Sequence, residues 1–256
     1  MLRDFTKETF DIVIQAGQSN AEGCGLGPVE HPYEPDDRVF YLNSDFTITQ
    51  ACERVVGNYI QTNFSLAFAR KYLQKGRLPQ GRKLLILRCA VVGTGFLDNR
   101  WGMTDDLYLR MMDMIRTALA LNSKNRLVAF LWHQGETDAI FQATYEQHFH
   151  HLKALLNSVR NTFHAEQLPF VAGDFVQHWK QDNLAICIPV VAAIRDLCAD
   201  LPCCGFVETE GLLSNTQEPY WKPEAIDDSI HFSRKALYDL GERYYDCFAE
   251  IGARNR

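Results

Sequence analysis

Apolar residues along this chain gather in short runs separated by longer amphipathic stretches. Six runs read as strands: Phe10–Gln15, Arg38–Leu42, Lys83–Val91, Leu127–His133, Pro169–Phe175 and Cys204–Glu208. Several, such as KLLILRCAV and LVAFLWH, are apolar almost throughout, which suits strands buried on both faces of a parallel sheet. Helical spacing fills the intervals. From Tyr145 the positions Phe149, Leu152, Leu156, Val159 and Phe163 form one face. Tyr108, Met111, Ile115 and Leu119 form another, with Thr104 as cap and Asp105 and Asp106 in the first turn. Asn63 is placed to cap a helix through Phe64, Phe68 and Tyr72, and Ser233 to cap a last one through Leu237, Leu240, Tyr244, Phe248 and Ile251. Stretches 20–60 and 209–230 are the least regular and read as loops. The alternation predicts a doubly wound α/β fold, one domain over residues 1–256, with ligands outside the carboxyl ends of its strands.

Three strand ends and one late pair carry the candidate chemistry. The first strand ends in Gly17-Gln18-Ser19-Asn20, the third in CAVVGTG (89–95) and the fourth in WHQGETD (132–138); DDSIHFS (227–233) precedes the last helix. Acyl transfer needs a serine activated by a base, an anion to orient that base, and donors for the oxyanion. Ser19, His231, Asp228, Gly93 and Gln134 supply those parts. Each also has a structural reading. Ser19 fits a helix cap, Asp228 and His231 a surface turn, Gln134 and Glu136 a buried polar network, and Gly93-Thr94-Gly95 a tight turn. The argument for chemistry is their common position after strand ends.

GQSNAEG, CAVVGTG followed by Trp101, WHQGETD and DSIHF together resemble the blocks of the SGNH hydrolase superfamily, and more closely its carbohydrate acetylesterases, the sialic-acid-specific acetylesterase and acetyl xylan esterase group. The resemblance runs from about residue 10 to the end. It implies a three-layer α/β/α sandwich with a central parallel sheet of about five strands, and removal of O-acetyl groups from a carbohydrate without a metal or other cofactor. It assigns Ser19 as nucleophile, His231 as base and then acid, and Asp228 as its orienting carboxylate. The N–H groups of Ser19 and Gly93 and the Gln134 amide would form the oxyanion hole. Two positions depart from a plain match. Val92-Gly93-Thr94 stands where the family usually has Gly-Gly-Thr, and Asp227 lies beside Asp228. An α/β-hydrolase would instead set its serine in Gly-x-Ser-x-Gly, well into the chain.

Other residues are weaker candidates. Asn20, Arg100, Trp101 and Trp179 are candidate substrate contacts: Arg100 for a sugar carboxylate, the two indoles as sugar-stacking walls or core. Trp221, like Trp132, lies near a loop or strand end. His148, His150 and His151 are not spaced to converge on a metal with a carboxylate. Cys24 has no histidine paired with it by motif.

Composition narrows the partners. The 256 residues carry a formal net charge of −6, and no basic block is present, which argues against nucleic acid or an anionic membrane as partner. No apolar run approaches the roughly 20 residues of a spanning helix, and the N-terminus lacks a signal-like apolar stretch. Eight scattered cysteines without a C-x-x-C pair read as reduced thiols of a cytoplasmic protein. The oligomeric state is not legible.

Overall fold

A computed structural model describes residues 4–218 and 227–254. The strands are β1 (Phe10–Gly17), β2 (Val39–Leu42), β3 (Ile48–Gln50), β4 (Arg54–Val56), β5 (Tyr59–Gln61), β6 (Lys83–Arg88), β7 (Arg126–His133), β8 (Phe170–Gly173) and β9 (Cys204–Val207). The helices are α1 (Ser19–Glu22), α2 (Phe64–Gln74), α3 (Asp106–Ala120), α4 (Glu136–Ile140), α5 (Tyr145–Thr162), α6 (Gln177–Asp182), α7 (Leu184–Asp200) and α8 (Arg234–Arg254). All six expected strands form.

Seven strands make one sheet in the order β3-β2-β6-β1-β7-β8-β9. Every pairing is parallel except β2 with β3. The parallel core is therefore six strands, slightly wider than about five, with an antiparallel edge. β3 and the separate β4–β5 hairpin occupy part of the stretch read as loop. β1 is buried at every position, as its apolar run requires.

Side chains locate the helical layers. Asp11 and Gln15 of β1 meet Tyr72 and Ser65 of α2, and the faces of Gly173 and Gly205 meet Tyr244 and Cys247 of α8. On the opposite face, Met114 of α3 touches Cys89 at 3.7 Å, Tyr108 of α3 bonds Ser158 of α5, and Arg195 of α7 lies over Phe206. Thus α2 and α8 cover one face and α3, α5 and α7 the other. Among the described residues no helix is long and apolar enough to cross a membrane.

Capping follows the local sequence on α2, α5 and α8 and departs from it on α3. Asn63 accepts from Ser65 N–H at 3.1 Å and Ser233 Oγ from Ala236 N–H at 3.1 Å. Thr144 and Gln147 close a reciprocal capping box on α5. On α3 the cap is Asp105, not Thr104, and its carboxylate turns back to accept from Gly102 N–H.

Gly241 of α8 sits where α2 crosses it; a Cβ there would overlap the Phe64 carbonyl. Gly241→Ala is expected to cost about 1–3 kcal/mol through overpacking, read as a lower denaturant midpoint with an unchanged slope.

Candidate active site

The carboxyl edge of the sheet is built by two interlocking blocks. Gly17 has φ +127° and faces the His133 backbone so closely that a side chain would overlap it. Only glycine lets β1 end this tightly against β7. Gln18 N–H then donates to the His133 carbonyl at 3.0 Å. The Gln18 side-chain oxygen accepts from Thr137 N–H at 3.1 Å, at the start of α4. Ser19 follows as the first residue of α1, 2% exposed. Gln18, not Ser19, occupies the cap position.

Asn20 joins distant parts of the chain. Its Nδ2 donates to Glu136 Oε1 at 2.7 Å and to the Ile230 carbonyl at 3.0 Å; its Oδ1 accepts from Phe232 N–H at 3.0 Å. The residue after Ser19 is therefore tied to both neighbours of His231. Asn20 is buried, so its geometry is that of a staple rather than a substrate contact.

His231 Nδ1 lies 2.5 Å from Asp228 Oδ1. The other Asp228 oxygen accepts from Asn215 Nδ2 at 2.7 Å. Burial pushes the Asp228 carboxyl up, but hydrogen bonds from His231 and Asn215 outweigh it and hold it below the usual aspartate value. Asp227 turns away, accepting from the Thr216 hydroxyl at 2.8 Å. Geometry thus separates the two adjacent acids.

The donor side is organised by Asp138. Its carboxylate accepts from Gln134 Nε2 at 2.8 Å, Phe96 N–H at 2.9 Å and Leu97 N–H at 2.8 Å. His148 Nδ1 stands 3.3 Å away. Burial raises this carboxyl, yet His148, the Leu97 amide and Gln134 together leave it lowered. Gln134 is oriented as a result, because swapping its amide would set oxygen against a carboxylate. One Nε2 hydrogen is spent on Asp138 and the second is left over. A Cβ on Gly95 would press on both Asp138 and Gln134, so this glycine lets the 93–97 loop close on the amide. Gly93 is exposed, with φ +69°. Val92 has no positive φ, and its N–H donates to Glu22 Oε2 at 3.1 Å. A valine therefore fits the position where a glycine was expected, and the left-handed residue is Gly93.

Two buried groups lie beneath. Burial drives His133 down to about 3, so it is neutral. Its Nδ1 faces the Tyr244 hydroxyl at 2.8 Å, which itself donates to the Trp132 carbonyl. Burial pushes Glu136 up despite the Asn20 bond. Glu136 behaves as the buried polar link that was one of its readings.

The remaining candidates fall elsewhere. Trp101 is 1% exposed and donates from Nε1 to Thr94 Oγ1 at 3.0 Å while packing edge-on against Trp132. It supports the Gly93 loop from below and offers no face to a sugar. Trp179 is also buried, against Phe175. Arg100 is paired with Asp106 at 2.8 and 3.0 Å, which removes it as a free carboxylate receptor. Trp221 lies outside the described residues. Cys24 is pushed up to about 11 by burial and by Glu22, which makes it a poor thiolate. All eight cysteines are free. Among the described residues no group of three His, Cys, Asp or Glu side chains is placed to hold a metal; His151 stacks on Phe96 and His150 bonds the Glu146 carbonyl. Asn215 and Asp138 had no role in the sequence reading. Asp138 was visible inside WHQGETD, whereas nothing marks Asn215.

A three-layer α/β fold whose Ser19 turn is tied, through Asn20, to both neighbours of the Asp228-paired His231 defines a class, and comparison with known proteins gives the family. The model described as carbohydrate esterase, sialic acid-specific acetylesterase matches residues 9–250, and the chain belongs to that family. It is 26% identical over 179 residues to an Escherichia coli (strain K12) protein described as a "Probable 9-O-acetyl-N-acetylneuraminic acid deacetylase", covering 60% of this chain and 52% of that one. The chain thus spans about half the length of that curated relative. Its fold is similar to the crystal structure of NanS, with TM-score 0.81 and 21% identity over 97% of this chain and 99% of that one. A protein from Arabidopsis thaliana gives TM-score 0.72 at 20% identity, covering 94% and 98% of the two chains.

Proposed function

We propose that this protein is a metal-independent serine esterase that removes O-acetyl groups from an acetylated carbohydrate, of sialic acid or xylo-oligosaccharide type. Family membership supports the reaction class. The single observation that carries the assignment of residues is the Asn20 staple, which ties the Ser19 turn to both residues flanking His231. In this reading Ser19 Oγ attacks the acetyl carbonyl and His231 takes its proton. Asp228 holds the imidazole and stabilises its charged form. The carbonyl oxygen becomes an oxyanion received by the N–H groups of Ser19 and Gly93 and the spare Nε2 hydrogen of Gln134. The tetrahedral intermediate collapses, the sugar alcohol leaves with the proton from His231, and Ser19 carries the acetyl group. Water, deprotonated by His231, then releases acetate and restores the serine.

The family match from 9 to 250 supports reading the chain as one esterase domain. The free thiols suit a reducing, cytoplasmic setting, and the net negative charge does not suit nucleic acid or an anionic membrane as partner.

The test is acetate release from acetylated sialic acids, xylo-oligosaccharides and simple acetylated monosaccharides, with fluorophosphonate labelling of Ser19. Release from at least one sugar class and labelling at Ser19 are expected. Cleavage of octanoyl in preference to acetyl esters would move the substrate away from carbohydrates, and absence of labelling would remove the nucleophile. Gln134→Ala is expected to lower kcat by about 100- to 1,000-fold, the cost of one oxyanion donor. A change below about threefold would exclude its amide from the oxyanion hole.

A further inference from the structure

A polar cavity of about 300 Å³ opens at the same carboxyl edge, above the ends of β1, β2 and β6. Its walls include Glu22, Asn43, Asp45, Arg54 and Arg88. Glu22 closes the short helix that Ser19 opens, and its Oε2 holds Val92 of the Gly93 loop. The cavity therefore lies beside the turn that carries Ser19 and the loop that carries Gly93.

Its two arginines differ. Arg54 is committed, donating to Glu22 Oε1 at 3.2 Å and to Gln61 Oε1 at 2.8 Å. Arg88 ends β6, half-buried, with its guanidinium 5.1 Å from the Tyr41 ring centre. Among the described residues it pairs with no carboxylate and makes one long hydrogen bond, to Asn43 Oδ1 at 3.4 Å. The stack fixes the plane of the fork, and most of its five N–H donors remain unspent. Among the described residues neither acid in the wall pairs with it. Glu22 is engaged by Arg54 and Val92, and Asp45 Oδ1 accepts from the Thr47 amide and hydroxyl. Arg100, the residue expected to meet a sugar carboxylate, is tied to Asp106 instead.

We infer that this cavity is a subsite for the carboxylate of an acidic sugar, with Arg88 as its receptor. The inference rests on the esterase reading for the position of the acetyl group. Arg88 is the register partner of Gln15, four residues before Ser19, so a sugar with its acetyl ester at one end and its carboxylate at the other would lie across that interval, and a planar guanidinium offers a carboxylate two parallel bonds. The chemistry is common to sialic and uronic acids.

Binding of unacetylated probes tests the subsite apart from catalysis. N-acetylneuraminic acid, glucuronic acid and their methyl esters are titrated against the wild type, Arg88→Gln and Arg88→Lys by calorimetry or NMR. The wild type is expected to bind an acid at least about tenfold more tightly than its methyl ester, as for a charge-assisted pair. Acid preference with either sugar supports the subsite, and the tighter acid names its source. Arg88→Gln should erase the preference, and Arg88→Lys, which keeps the charge without the fork, should retain part of it. Equal binding of acid and ester by the wild type, no binding of either acid, or an undiminished preference in Arg88→Gln would overturn the inference. The ester comparison in the wild type stands even where a variant fails to fold. Absence of acetate release alongside intact acid preference would overturn the esterase reading and leave the subsite in place.

Discussion

Ser19→Ala is expected to abolish acetate release, with kcat on an aryl acetate falling by about a millionfold, as when a triad serine is removed. The argument is chemical rather than structural. Ser19 is almost fully buried at the start of α1, yet the turn is held by its neighbours: Gly17 against β7, Gln18 to Thr137, and Asn20 to residues 136, 230 and 232. Removing one hydroxyl leaves those bonds in place. The variant should therefore melt with the wild type and still bind an acetylated sugar, and the whole effect should appear in turnover. The residual rate reports what binding and the oxyanion donors achieve without a nucleophile. Wild-type turnover in this variant would end the assignment of Ser19; a loss of turnover accompanied by unfolding would assign the hydroxyl to the fold instead.

The main strands were legible because a strand buried on both faces is a continuous apolar run. KLLILR and LVAFLWH are of strand length and apolar almost throughout, which suits buried parallel strands. The edge was not legible for the same reason. Ile48–Gln50 is three residues with two of them exposed, so it carries no apolar signature. The β4–β5 hairpin did leave a signal, Gly57-Asn58 between Val56 and Tyr59, of the type that turns two short strands. α7 was hidden by being apolar on most sides and by Pro189 within it. Pro189 is the sixth residue of α7, past its first turn, and the Ala185 carbonyl to which it cannot donate lies at an exposed position where water can serve it.

The candidate site divides along similar lines. Blocks of contiguous residues were readable, since Gly17 to Asn20 and His133 to Asp138 each do several jobs within a few positions. What joins the blocks was not readable. Asn20 meeting residues 230 and 232, or Asn215 meeting Asp228, depends on where the strands end and how the last loop returns. The aromatic candidates failed for a related reason: a tryptophan near a strand end has equal claim to a sugar face and to the core, and only burial decides. For Trp101 the indole N–H found Thr94 beneath the loop.

Asp228→Asn is expected to lower kcat by about ten-thousandfold while the protein stays folded, the cost of the same exchange in a serine triad. Asp228 stands between two donors, His231 Nδ1–H on one oxygen and Asn215 Nδ2–H on the other. An amide has one oxygen and one NH2. If the new oxygen keeps the Asn215 bond, its NH2 faces His231, and Nδ1 must then accept. The imidazole proton moves to Nε2, where it blocks the nitrogen that has to take the proton of Ser19. If the amide flips, His231 keeps its tautomer, but the NH2 group collides with that of Asn215, and the imidazolium loses its counter-charge in either case. Asp227→Asn keeps an oxygen that can accept from the Thr216 hydroxyl and should change turnover little. The pH dependence follows from the same bonds. Asp228 is held below the ordinary aspartate value, so its contribution to stability is complete above that value and is lost as pH falls through the lowered one. Asp228→Asn should therefore lower stability across the neutral range by that contribution and flatten this part of the acid-side loss. An Asp228→Asn protein with near-wild-type turnover at neutral pH would show that His231 does not depend on this carboxylate.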